Sequence, residues 1–364
     1  MKWLIAPNAF KGTLEAEEAA AIIEETIQNC RPNDQTDCCP IADGGDGTCL
    51  LLSKQLGLEK VEAWVCGQLG RSQKGFFGYE PTSHTAFLDV STVSGVKDLK
   101  DQEKDPWTCS TYGTGELIRL AVEKGANHIV LGLGGSATID MGTGILQALG
   151  LQFLDKNGRE LIPFVPGFLE KIAHIQLPLK LPELRITCLC DVGNPFFGKE
   201  GAIPVFGPQK GLTVNEQPRF LEAAQNLFER IKNKSKWEVE DQACFGAAGG
   251  IALGLHAFFP VKLEQGAGYF FDKTSMEQRI QEADRVITGE GRFDSQSAQG
   301  KGSYELLQLA KKYGKKSWLI TSGEEGREAG FDTVIRMPDL DFAASDLKER
   351  AKLNLREVLL KKLS

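Results

Sequence analysis

Short apolar runs in this chain repeatedly end in glycine beside a charged residue. Lys11-Gly12 follows Trp3 to Ala6, and Asp43-Gly44-Gly45-Asp46 follows Thr36 to Ala42. Gly134-Gly135-Ser136 follows His128 to Leu133, Asp191 follows Arg185 to Cys190, and Gly289-Glu290 follows Arg285 to Thr288, with Gly300-Lys301 close behind. A strand that feeds a glycine-rich turn and then a helix presents backbone N–H groups and a helix N-terminus to an anion. Acids and lysines beside those glycines add what phosphate chemistry also needs, a metal held by carboxylates and a cation against the phosphate. Ordinary turn geometry is the plainer alternative, because the chain's 40 glycines must sit somewhere. Their recurrence beside charges at strand ends favours a phosphate and metal site.

The segment HIVLGLGGSATIDMGTGILQALG, residues 128–150, carries a competing pattern. Gly132, Gly134 and Ala137 fit the loose dinucleotide signature G-x-G-x-x-A, and Asp155 lies near the place of a ribose-binding acid, which would make the protein an NAD-dependent oxidoreductase. Context opposes this, since the loop is in mid-chain and Asp155-Lys156-Asn157-Gly158 reads as a turn. No G-x-x-x-x-G-K-[ST] occurs, so a Walker-type NTPase is not indicated.

The elements that must position these residues alternate. A strand at Trp3 to Ala6 leads into a helix from about Thr13, a plausible N-cap, and a second strand at Thr36 to Ala42 leads into a helix at Thr48 to Leu56. Two such units in succession predict a parallel α/β sheet with ligand groups at the strand C-terminal ends. Strand-like runs at Val61 to Cys66 and Thr85 to Val90 flank a loop of glycines and aromatics. Thr111-Tyr112-Gly113-Thr114-Gly115 opens a helix at Glu116 to Lys124, and GAIPVFGPQKG, 201–211, reads as a polar glycine-rich loop. A helix around Phe220 to Lys232 precedes Gly246-Ala247-Ala248-Gly249-Gly250, where small residues let backbones or ligands come close. Strand, loop, helix and strand return at 285–322.

At 364 residues, 41% apolar and 25% charged, the chain suits an ordinary globular protein of two domains. A net charge of −7 argues against general nucleic-acid binding, and no apolar run approaches membrane-spanning length. The N-terminal apolar run is too short for a signal peptide, and nine cysteines without a C-x-x-C fit reduced, buried thiols, so a cytoplasmic protein is expected. The four histidines are isolated, which argues against a structural zinc site and a histidine base.

In this order, the stretches APNAFKGTL, IADGGDGT, STYGTGELI, LGLGGSATIDMGTG, CDVGNPFFG, VFGPQKG, GAAGGIALG and ITGEGRFDSQSAQGK resemble the type I glycerate kinase family of bacteria, the glycerate 2-kinase group. The resemblance implies transfer of the ATP γ-phosphoryl group to a hydroxyl of D-glycerate, giving 2-phosphoglycerate (or 3-phosphoglycerate), with Mg²⁺. It implies an α/β fold of two domains with the active site in the cleft. One is a Rossmann-like parallel-sheet domain built from both chain ends, placed at 1–66 and 283–364. The other is a second α/β domain at 67–282. D-glycerate and ATP are then the partners, with no nucleic acid or membrane, and the enzyme is a monomer or homodimer.

Roles follow motif by motif. The resemblance makes Lys11 the cation facing phosphate or the substrate carboxylate; a solvated loop lysine is its plain alternative. Asp43 and Asp46 flank glycines and suit Mg²⁺ or glycerate hydroxyls, or merely cap the next helix. Asp191 ends an apolar strand, where an unpaired acid is costly, and so is the candidate to orient or deprotonate the glycerate hydroxyl; an Asx-turn before Asn194-Pro195 explains the spacing almost as well. On one loop, Glu290 and Asp294 can share a metal-facing side while Arg292 reaches the carboxylate or the transferring phosphoryl group, with a surface salt bridge as the competitor. Gly44, Gly45, Gly134, Gly135, Ser136, Thr138, Gln209, Lys210 and Lys301 complete the phosphate and carboxylate contacts, beside Asp140.

The chain departs from the family's pattern at Asn8-Ala9 for Asp-Ser, Ile139 for Asn, Met141 for Gly and Gly193 for Asp. Asp46 for Glu, Phe293 for Leu and Ser297 for Thr keep the chemical type. The first group removes polar groups or alters a turn, so an altered member that acts on, or only binds, another small hydroxy acid is the alternative.

Overall fold

The computed structural model describes residues 1–293, 301–323 and 325–363. Its strands are β1 (Lys2–Ile5), β2 (Gln35–Cys38), β3 (Glu59–Cys66), β4 (Ser72–Glu80), β5 (Thr85–Asp89), β6 (His128–Gly132), β7 (Gln152–Leu154), β8 (His174–Gln176), β9 (Arg185–Cys190), β10 (Val261–Gln265), β11 (Arg285–Gly289), β12 (Lys316–Thr321) and β13 (Thr333–Arg336). They divide between two units, Met1–Asp43 with Gln265–Ser364, and Gly44–Glu264. The sequence boundaries at 66 and 283 differ from this division: helix Thr48–Gln55 and β3 pack with the second unit, because β3 pairs with β4 along its whole length.

In the first unit the sheet order is β13-β12-β11-β1-β2, and neighbouring strands pair in parallel. Trp3 pairs with Arg285 on one side and Thr36 on the other, so β1 is internal, and its Trp3, Leu4 and Ile5 have no exposed surface. A parallel sheet hides both faces under helices, which is why these strands read as continuous apolar runs. Helices Ala16–Cys30 and Leu347–Leu363 share a core with Trp3, Ile5 and Ile287. The C-terminal helix was legible in principle, since Ala351, Leu355, Leu359 and Leu363 recur every fourth residue and are all buried. Trp3 and Trp318 meet edge to face with centroids 5.1 Å apart, and the Arg285 guanidinium lies 5.2 and 5.5 Å from the two rings. Helix Ala16–Cys30 begins later than expected: Thr13 is not its cap, because its hydroxyl donates to Phe10 O at 2.8 Å within a turn. The cap is Glu15, whose N–H donates to the Glu18 carboxylate at 3.2 Å.

The second unit has a mixed sheet of order β10-β9-β6-β5-β4-β3 and a separate antiparallel pair, β7 with β8. Strands β5, β6 and β9 are parallel, whereas β3, β4 and β5 run antiparallel. The expected loop of glycines and aromatics is the nine-residue strand β4. Its glycines make room rather than turns: a Cβ on Gly75 would lie 2.7 Å from Val93, and one on Gly78 would lie 2.1 Å from the Ser53 hydroxyl. GAIPVFGPQKG is likewise not an open loop but a helix, Ala202–Phe206, and a 3₁₀ turn, Pro208–Lys210, anchored by buried Ala202 and Ile203. The glycines of Thr111 to Gly115 fall inside helix Tyr112–Glu123, where a Cβ on Gly115 would lie 2.7 Å from Ala148.

A Cβ on Gly113 would sit 1.6 Å from the Cys66 carbonyl oxygen, whereas one on Gly268, in helix Gly266–Lys273, meets nothing within 4 Å. Gly113→Ala should therefore cost at least about 1–3 kcal/mol in urea unfolding. Gly268→Ala should gain up to about 1 kcal/mol. Equal effects of the two substitutions would contradict the packing described.

Candidate active site

In the first unit, three neighbouring strand ends carry the chemistry-bearing loops. Asn8 N–H donates to Gly289 O and Ile41 N–H donates to Pro7 O, at 2.8 and 2.9 Å, which extends the pairing of β1 with β11 and β2 into the loops. Asn8 Nδ2 donates to the Asp43 carboxylate at 3.1 Å while its Oδ1 accepts from Ala9 N–H at 2.8 Å. A Cβ on Gly291 would lie 3.2 Å from the Lys11 nitrogen, so the Lys11 turn abuts the Glu290–Arg292 loop. Lys11 and Arg292 are exposed, whereas Glu290 is buried. Half-buried Lys301 caps helix Gly302–Lys312, whose first residue packs on Ile41, two positions before Asp43. The structure thus gathers Lys11, Asp43, Glu290, Arg292 and Lys301 at the carboxyl ends of parallel strands. Asp294 lies outside the described residues.

In the second unit, the Gly44–Gly47 turn and the loop after β6 interlock. A Cβ on Gly134 would lie 2.3 Å from the Gly45 carbonyl carbon and 2.5 Å from the Asp46 nitrogen, so only glycine permits this approach. Thr48 ties the turn to the following helix, accepting from Gly44 N–H at 3.1 Å and donating to Gly45 O at 2.9 Å. Asp46 is exposed beside Gly135. Backbone bonds from Val90 N–H to Gly132 O, Val96 N–H to Gly135 O and Ala137 N–H to Ser94 O lace segment 90–96 to the central loop.

Beneath that loop lie two buried charges. The Asp140 carboxylate accepts from Thr111 N–H at 3.0 Å, the Thr111 hydroxyl at 2.8 Å, and Gly142 and Gly144 N–H at 3.0 and 3.4 Å. The Lys210 ammonium donates to Ser136 Oγ at 2.7 Å and Thr138 O at 2.8 Å. Lys210, Ser136 and Thr138 are all buried, so this lysine holds the loop from below, while its neighbour Gln209 is exposed. Burial pushes the Lys210 ammonium down to about 7, with the charges of Asp140 and Cys109 opposing the fall.

Two premises are corrected. Asp191 directly follows β9 but is exposed, because the chain leaves the sheet at Cys190; the desolvation cost invoked for it does not operate. Asp155 belongs to a turn, its Oδ1 accepting from Asn157 and Arg159 N–H at 2.8 and 3.0 Å, which removes the ribose-binding acid of the dinucleotide reading. Two buried groups were given no role in the sequence reading: Asp89, at the tip of β5, and Thr111, read only as opening a helix, which binds Asp140. Their only signal was an acid or hydroxyl ending an apolar run or opening a helix.

Ile139 and Met141 are fully buried in the apolar cluster, so the Asn side chain lost at 139 and the bulk gained at 141 both face the core. Met141 adopts a φ of 49°, a left-handed conformation that costs a residue with a side chain about 1–2 kcal/mol. A Cβ on Gly193 meets nothing within 4 Å. Among the described residues no group of three or more acids, histidines or cysteines is placed to hold a metal. An exposed carboxylate such as Asp46 fits Mg²⁺, which keeps several waters and takes its remaining oxygens from one or two carboxylates and phosphates.

Between pH about 7 and the unfolded value of 10.5 the folded state binds fewer protons at Lys210, so its contribution to stability rises with pH. The urea stability of the wild type relative to Lys210→Met should therefore increase from about pH 7 to 9.5, by at most about 1.4 kcal/mol per pH unit. A flat difference would show that the ammonium is not desolvated.

Similarity to known proteins covers nearly the whole chain. A sequence profile of the Glycerate kinase family matches residues 3–361. The glycerate 2-kinase of Escherichia coli K12 is 39% identical over 86% of this chain and 83% of its own length. The glycerate kinase of Haemophilus influenzae is 36% identical over 98% of this chain and 96% of its own. A crystal structure described as glycerate kinase 2 from Salmonella typhimurium LT2 superposes with a TM-score of 0.84 at 34% identity, covering 100% of this chain and 97% of that one. With the strand-end loops described above, these likenesses show that the chain belongs to the glycerate kinase family, a family of ATP-dependent phosphotransferases.

Proposed function

We propose that the protein transfers the γ-phosphoryl group of ATP to the 2-hydroxyl of D-glycerate, giving 2-phosphoglycerate, with Mg²⁺. The observation that carries this reading is the gathering of Lys11, Asp43, Glu290 and Arg292 on adjoining loops at parallel strand ends. The name of the Escherichia coli relative, glycerate 2-kinase, supports the choice of hydroxyl. The reading takes the enzyme as cytoplasmic, and monomeric or homodimeric. No helix among the described residues is long and apolar enough to cross a membrane.

Phosphoryl transfer asks for positioning and neutralisation of charge rather than covalent chemistry. Lys11 and Arg292, both exposed cations, neutralise phosphate or carboxylate oxygens, with Arg292 able to do so in bidentate fashion. Lys301 contributes a further cation, and Glu290 with Asp43 accepts from substrate hydroxyls. Gly134 and Gly135 offer backbone N–H groups unhindered by side chains, and Gly44 and Gly45 form the turn packed against them, with the Gly44 N–H held by Thr48. Ser136, Thr138 and Lys210 support that loop, and exposed Gln209 offers a neutral contact to phosphate. Asp46 and Asp294 would hold Mg²⁺, which when bound would offset phosphate charge. Asp191, accessible after β9, accepts the proton of the attacking hydroxyl.

Asn8 motivates a second reading. It stands where the family pattern has Asp, and its amide donates to Asp43, so one negative charge is lost next to a proposed substrate contact. That change would favour another small hydroxy acid.

An ADP-release assay with Mg-ATP, followed by ³¹P NMR of the product, tests both. D-glycerate should be turned over to the 2-phosphate; turnover of a different hydroxy acid alone would favour the second reading, and none from folded protein would sink the kinase assignment. Asp191→Asn should lower kcat by about 10²–10⁴-fold with the melting temperature unchanged. Near-normal kcat would remove Asp191 as the base.

A further inference from the structure

Asp89 is 2% exposed and ends β5, yet it belongs to none of the loops assigned a role. Its Oδ1 accepts from Cys49 N–H and its Oδ2 from Leu50 N–H, both at 3.0 Å. These are two of the N–H groups that helix Thr48–Gln55 leaves without partners in its first turn, and a carboxylate there also complements the helix dipole. On its other side the carboxylate presses on β6: a Cβ on Gly132 would lie 2.2 Å from Oδ1. Gly132 is the register partner of Asp89 and the last residue before the central loop. One buried side chain therefore grips the helix that carries the Gly44–Gly47 turn and the strand that carries Gly134 and Gly135.

We propose that Asp89 is a positioning residue that fixes the two interlocked glycine loops for phosphoryl transfer without touching substrate. The proposal rests on the reading that those loops bind phosphate. The distance from Gly134 to Gly45 leaves no slack, so a small tilt of helix Thr48–Gln55 must move both loops. Burial favours the neutral acid and raises its pKa to about 7, against the bonds from Cys49 and Leu50, with the nearby Asp46 charge adding to the rise. Removing one of the two acceptors leaves a buried N–H group of the helix's first turn without its partner.

The test uses the full-length protein in three variants. Asp89→Asn keeps the shape but loses one acceptor, Gly132→Ala displaces the carboxylate from the other side, and Gly134→Ala disturbs the loops directly. Asp89→Asn should lower kcat/KM for D-glycerate and ATP at least tenfold with the melting temperature within a few degrees of wild type. Amide exchange should quicken at residues 44–50 and 132–137 only, a local pattern that a general structural role would not give. Gly132→Ala should reproduce it. If Gly134→Ala lowers kcat/KM tenfold while Asp89→Asn stays within twofold of wild type, the proposal is overturned and the loop reading stands. If Gly134→Ala is also within twofold, the loop reading itself has failed. Loss of folding in both Asp89→Asn and Gly132→Ala would make Asp89 a residue of folding alone, which also overturns the proposal.

Discussion

A single buried carboxylate, that of Asp140, holds together the part of the second unit on which the central loop depends. It is removed from water, which would be costly if it were left unsatisfied, but N–H and hydroxyl donors from Thr111, Gly142 and Gly144 converge on it. The Thr111 hydroxyl in turn accepts from Ile145 N–H at 3.1 Å. Helices Tyr112–Glu123 and Thr143–Ala148 therefore both start from the same anion, and their closeness needs Gly115 against Ile145 and Ala148. The buried Lys210 ammonium gains stability from the same charge while it props Ser136 and Thr138. The loop's shape is consequently fixed from below, by charges its own sequence does not contain beyond Asp140.

Much of this was legible in the sequence because parallel strands announce themselves. β6, β9 and β11 are apolar runs ended by glycine or an acid, and these and the apolar runs of β1 and β12 each became a strand within a residue or two of its expected place. What stayed hidden shares one cause: a residue type was read for its usual role when tertiary contact had given it another. The glycines of β4 and of helix Tyr112–Glu123 look like turn formers but serve close packing. Lys210, expected to contact phosphate or carboxylate, is buried and donates to Ser136. Asp191 looks buried because β9 is, and the chain's exit from the sheet at that point cannot be read from spacing. Asp89 gave almost no signal, since an acid at a strand end is common and its partners are backbone N–H groups of a helix 39 and 40 residues earlier.

The departures from the family pattern separate by burial. Ile139 and Met141 exchange polar or small residues for apolar bulk inside the core, and Met141 accepts a left-handed backbone to stay there. Asn8 instead changes the charge beside Asp43, and Gly193 leaves open space where a side chain would fit. Under the proposed function, Asn8, half-buried Ala9 beside it and Gly193 are the changes that a small hydroxy acid could sense.

The order of strands in the first unit also dictates an order of assembly. β1 is flanked by β2 and β11, and its register partner Arg285 lies near the far end of the chain. During synthesis the N-terminal strand and its helix must wait, with one edge of β1 open, until the residues after 284 leave the ribosome. The second unit is one continuous segment, Gly44–Glu264, and is complete before then. Closing the first sheet is thus a late, long-range event whose entropic cost is borne by the whole intervening segment. Premature termination between β2 and β11 would leave β1 paired with β2 alone, its other edge open.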